Sequence, residues 1–246
     1  MTAAPDFADN SLSRGSGRFR ILSAPELIVD VEASALEGGY PIEIAIADLA
    51  AGKVHAWLIR PHASWAWDAW SPESEKIHGL SKAEIDRGDD VTTVGQGIER
   101  VLAGRKLATD NGEYDGWWLA RLFAAARMDS PIRLHPKRVD ETCIAIAKHL
   151  GKPQSGLVDV LAMRAAHHDH SAAGDAAAWA GALELICGNA ALVSGRMHEV
   201  FETWRGRAAA ASPWRRTIFR EKSKIPAPSS SPDTPGMTPP KTLPPR

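Results

Sequence analysis

The sequence predicts a layered α/β fold. Three strand-like stretches come first, at residues 27–32, 41–47 and 53–59, and helical patterns then alternate with short strand-like pieces. With 246 residues and 44% apolar content, the chain can bury one good-sized core, in one or two domains.

Leu27, Ile28 and Val29 are β-formers that run into Asp30-Val31-Glu32, so the first strand is buried and ends in acid. Residues i and i+2 of a strand share a face, which sets Asp30 and Glu32 side by side. A loop with a glycine pair follows, then an alternating second strand and, after Ala51-Gly52, a third. Short links make an antiparallel meander the simplest arrangement. Residues 62–81 hold Trp65, Trp67 and Trp70. They read as core or lid packing, with base stacking as the other use of such rings. Helical patterns over 94–103 and 113–127 flank a short fourth strand at 106–109. Arg138-Val139 reads as a fifth strand, followed by helices over 141–150, 157–167 and 174–187.

Residues 1–24 are small, polar and aperiodic, which predicts a disordered leader. The folded domain is expected over 25–204. From Arg205 a basic run with Trp214 and Phe219 reads as a solvated helix end or a nucleic-acid or partner contact. A disordered Pro/Ser-rich tail with polyproline character completes 205–246.

A net charge of −1 carries no global nucleic-acid signature, so any basic surface must be local. Cys143 and Cys187 lie far apart in no metal-type spacing and read as reduced cytosolic thiols. The first twenty residues hold no signal-peptide core, and no later run approaches the roughly 20 apolar residues of a membrane span. A soluble, cytoplasmic protein with no membrane partner is expected.

Two carboxylates on one strand face repel, and a divalent cation between them would relieve the repulsion. The plainer reading is that the strand has ended and both acids are solvated. Asp115 stands in the first turn of the helix after the fourth strand, and Asp175 opens an alanine-rich helix. Taken singly, each is an ordinary first-turn acid favoured by the helix dipole.

Together they form an ordered set: Asp30-x-Glu32, then Asn111-x-x-Tyr114-Asp115, then His170 five residues before Asp175. This set resembles the DEDDh 3′→5′ exonuclease family, which includes polymerase proofreading subunits and RNase T. The resemblance spans residues 27–185, with further matches at Ile42-Glu43-Ile44 and Ile77-His78-Gly79-Leu80. His170 fits the histidine branch, whereas the tyrosine branch would have Tyr where Ser171 stands.

The resemblance implies an RNase H-like fold, with a mixed five-stranded sheet flanked by helices on both faces. It implies that Asp30, Glu32, Asp115 and Asp175 carry two Mg²⁺ or Mn²⁺ ions, with Asp30 bridging and His170 as general base. Ala33, Ser34, His78 and Asn111 become the expected substrate contacts, and the substrate a single-stranded DNA or RNA 3′ end. A polymerase or a protein that binds the Pro-rich tail is the candidate partner. His167 and His168 read as solvated loop histidines, since their adjacent spacing fits a zinc site poorly. Two departures stand out: Ala33-Ser34 where the family has Thr, and Asp110 where it often has His. The rival reading is a catalytically idle relative that binds nucleic acid or a polymerase; the intact acids and His170 argue against it.

Overall fold

The computed structural model describes residues 24–66, 68–135, 137–188 and 192–215. Among them, β1 (Leu27–Ala33), β2 (Pro41–Asp48), β3 (Lys53–Leu58) and β4 (Leu107–Ala108) form one sheet in the order β3-β2-β1-β4. The short links give antiparallel pairing of β1 with β2 and of β2 with β3, while β4 joins β1 in parallel.

The sheet has four strands, not the five expected. Beside β4 a single bridge joins Leu107 to Leu134. Arg138-Val139 is not a strand: the Val139 amide is taken by the Thr109 carbonyl, and Val139 opens the helix α5 (Val139–His149). Asp140 and Glu141 in its first turn favour that helix electrostatically.

Helices cover both faces of the sheet. On one face, Ile28, Ala45 and Ala47 join a core made with α5, α6 (Gln154–Ala166), α7 (Ala172–Cys187) and α8 (Ser194–Ala211). On the other, Leu27, Val29, Ile44 and Ile46 pack with α3 (Val91–Leu102) and α4 (Gly112–Ala126). Strand alternation therefore turns Ile28, Asp30 and Glu32 toward α7. Alanines dominate the buried face of α7, as close helix–sheet packing requires. Because β2 is central, all eight of its residues are buried, Glu43 included. Two short helices, α1 (Pro72–His78) and α2 (Lys82–Ile85), are fixed by the side-chain caps of Ser71 and Ser81.

Trp65 is buried and stacks on Tyr40 at 5.4 Å, and the Trp70 ring nitrogen donates to Glu75. Both rings pack; Trp67 lies outside the described residues. The boundary expected at 204 falls inside α8, whose buried Met197, Val200, Phe201, Trp204 and Ala208 form one stripe. A 3-10 turn over Pro213–Arg215 follows and buries Arg215. In the basic run, Arg205 pairs with Glu202 and Arg207 lies over Trp204. The leader at 1–23 and the tail from 216 lie outside the described residues. No helix of the described residues is long and apolar enough to cross a membrane. Both cysteines are free thiols, Cys143 on α5 and Cys187 at the end of α7.

Candidate metal centre and active site

The carboxyl end of β1 supplies Asp30 and Glu32 on the α7 side, and the first turns of α4 and α7 bring Asp115 and Asp175 to them. Two groups of carboxylates result, Asp30 with Glu32 and Asp175, and Asp30 with Asp110 and Asp115. Within each, one oxygen per residue lies within 4.8 Å of the others. Asp30 belongs to both. All four acids expected from the sequence thus meet, with Asp110 as a fifth.

Each acid is held by local structure. The Thr109 hydroxyl donates to the Asp115 carboxyl and accepts from the Asn111 amide at 3.0 Å, tying the end of β4 to the start of α4. Ahead of α7, Asp169 accepts the Ser171 amide and hydroxyl at 3.1 and 2.7 Å, and the Asp169 amide donates to Asp175 at 3.1 Å. Ser171 caps α7 by accepting from the Gly174 amide. A Cβ at 174 would run into Asp169 Oδ1 and Ser171 Oγ, so any side chain there forces that loop to shift.

Crowding shows in the acidities. Burial first, then Asp175, Asp115, Glu32 and Asp110, push the Asp30 carboxyl well above its ordinary range. Burial and the nearby Glu43 push Glu32 up to about 8. Burial lifts Asp115 to about 7 against the opposing bond from Thr109. So many carboxylates in one place are stable as anions only with added positive charge. The donors are hard oxygens, the ligands that Mg²⁺ and Mn²⁺ take. This donor set fits a divalent ion at each group.

His170 is exposed at the rim, in a left-handed backbone conformation with φ 56°. Its ring lies 4.2 Å from that of His168, and His168, His170 and Asp175 form a third close group. His168 is not the bystander expected: its Nδ1 is 2.9 Å from Asp175 Oδ1, a contact that raises its basicity. His167 packs instead on Phe201, at 4.9 Å. The turn at His170 folds the two rings together, which spacing alone could not reveal.

The expected substrate contacts are placed less uniformly. Ala33 is half-buried at the bulge that ends β1, beside Glu32. Asn111 is exposed at the start of α4, with no capping bond from its side chain. Ser34 is fully buried, its hydroxyl donating to Ala69 and accepting from Tyr40, so it holds the loop. His78 is buried too, with Nδ1 accepting from the Leu80 amide; burial and Arg215 lower its pKa to about 4.

Two residues that the sequence marked only as a departure, Asp110, and as a secondary match, Glu43, have further partners here. Asp110 Oδ2 accepts from Arg164 at 2.7 Å and from the Trp179 ring nitrogen at 2.9 Å, and the guanidinium lies 4.0 Å from the Trp179 ring centroid. Glu43, opposite Glu32 in the sheet, accepts from Trp214, Arg215 and the Ala172 amide. A charged residue inside the apolar run 41–47 was the available signal.

No protein-family model and no curated protein matches the chain. Solved structures do. The nuclease domain of 3′hExo, a DEDDh family member bound to rAMP, aligns over 67% of this chain and 94% of its own, at 17% identity and TM-score 0.47. A 3′-exonuclease recognising the histone mRNA stem-loop aligns at 15% identity and TM-score 0.48, over 67% of this chain. Cell-death related nuclease 4 aligns over the same share, at 12% identity and TM-score 0.38. The chain spans 64% of the length of each of the latter two, just under two thirds. These three solved chains are a DEDDh family nuclease domain, a 3′-exonuclease and a cell-death related nuclease.

Proposed function

We propose that the protein is a divalent-metal-dependent 3′→5′ exonuclease that hydrolyses single-stranded DNA or RNA ends to nucleoside 5′-monophosphates. The observation that carries this reading is the pair of carboxylate groups sharing Asp30, with His170 at their rim. Asp30, Glu32 and Asp175 would hold one ion, and Asp30 with Asp115 and Asp110 the other. Bound ions would neutralise charge on the attacking and leaving oxygens of a phosphodiester.

His170 accepts a proton from the attacking water as the water oxygen bonds to phosphorus and the bond to the 3′-oxygen breaks. The leaving oxygen takes a proton from solvent and becomes the new 3′-hydroxyl. The exposed position of His170 suits this exchange, since the proton must reach bulk water after each turnover. His168, bonded to Asp175, orients that carboxylate.

Matched DNA and RNA oligomers labelled at the 5′ end, with Mg²⁺ or Mn²⁺, test the reading. A ladder shortening from the 3′ end, abolished by a blocked 3′ terminus, is expected. Cuts in a circular single strand, or shortening from the 5′ end, would overturn it.

A further inference from the structure

We infer that Arg215, far down the chain from the acids, is a positioning residue for the candidate metal centre, acting through Glu43. The inference rests on the metal-dependent reading above. Glu43 faces Glu32 directly across β1 and β2 and is wholly buried. Its oxygens receive four donors. Trp214 Nε1 and Arg215 Nε donate to Oε1 at 2.6 and 2.9 Å, and Arg215 Nη2 and the Ala172 amide to Oε2 at 2.5 and 2.9 Å. Arg215 Nη1 also donates to the His78 carbonyl.

One guanidinium, 1% exposed, therefore joins the end of α1 to Glu43 beside Glu32, and Glu43 in turn holds the amide of the first residue of α7. The Ala172 amide lies one helical turn before Asp175, so the bond to Glu43 fixes how α7 presents that ligand. Arg215 reaches Glu43 from 172 positions away, and its planar fork fits a carboxylate as a lysine cannot. For packing alone an apolar pair would serve, since buried ion pairs rarely out-stabilise hydrophobic replacements. The chosen pair instead keeps one saturated carboxylate rigid behind the metal-binding ones, and outer partners of metal ligands tune affinity.

The test compares full-length wild type, Arg215→Lys and the double variant Glu43→Gln/Arg215→Met by calorimetric Mn²⁺ titration, kcat and KM on a short oligomer, and thermal melts. The double variant removes both charges together and is expected to fold. Both are expected to bind Mn²⁺ about 10–100-fold more weakly, the usual effect of losing such a partner. They are also expected to lose kcat more than KM. Folded variants with wild-type Mn²⁺ affinity and kcat overturn the positioning role alone. Unfolding of both variants also overturns it, because the pair is then structural. If wild type takes up no Mn²⁺, the metal-dependent reading falls, and this inference falls with it.

Discussion

Asp110 and Arg164 form a 2.7 Å ion pair beside the carboxylates that share Asp30, with the Trp179 ring under the guanidinium. The extra negative charge that Asp110 brings to this centre is thereby partly neutralised in the metal-free protein. Arg164→Met is expected to cost about 1–3 kcal/mol, as for a lost hydrogen bond to a charged group. The loss should shrink under saturating Mn²⁺, which supplies the missing positive charge. Urea melts in EDTA and in Mn²⁺ check this; equal losses in both would sink it.

The raised acidities predict how metal-free stability depends on pH. Glu32 titrates at about 8 and Asp115 at about 7 in the folded chain, against roughly 4 when unfolded. The folded state therefore holds protons that the unfolded state has already lost. Its stability must fall as pH rises from about 5 to about 8, and recover as pH drops. Divalent ions should reverse the fall at the upper end. Thermal melts across this range in EDTA are the measurement, and a melting temperature flat with pH would contradict the crowding.

Roles within the centre separate by metal binding. Asp30→Asn removes the residue common to both carboxylate groups, so Mn²⁺ affinity and cleavage should both collapse. His170→Ala should lose roughly 10²–10⁴-fold in turnover, the usual worth of a positioned base. It should keep its Mn²⁺ affinity. Calorimetry on both variants decides, and a His170→Ala protein that binds Mn²⁺ as poorly as Asp30→Asn would make His170 a ligand.

Gly174→Ala tests the fit ahead of Asp175. Its methyl would drive into Ser171, which caps α7, and into Asp169, which holds Ser171, at a cost of about 1–3 kcal/mol. Mn²⁺ affinity should drop as Asp175 shifts. Wild-type stability and affinity in this variant would show that the loop yields freely.

The sequence made the site more legible than the frame around it. Asp30 and Glu32 follow from strand alternation alone, and His170 and Asp175 from their spacing in a resembling motif. Arg164, His168 and Arg215 escaped because their partners lie on other elements, and pairing across elements leaves no periodic trace. The apolar stripe of α8 was present at helical spacing, but the basic run from Arg205 made the residues after 204 read as a solvated helix end or a contact surface. The fifth strand failed for a local reason. Val139 is a good strand former, yet its amide is taken by Thr109 and the acids after it favour a helix start.

Arg215 also has a consequence for synthesis. A ribosome makes β2 early, but the cation that neutralises Glu43 arrives only with the last turn described here. A product that ends before Trp214 and Arg215 leaves Glu43 only the Ala172 amide of these donors, so it is expected to be the less stable one. Truncation after 211 should therefore lower the melting temperature by many degrees, while truncation after 224 should barely move it. Equal melting of the two products would sink this expectation. Glu43 thus ties the stability of the sheet to a residue translated 172 positions after it.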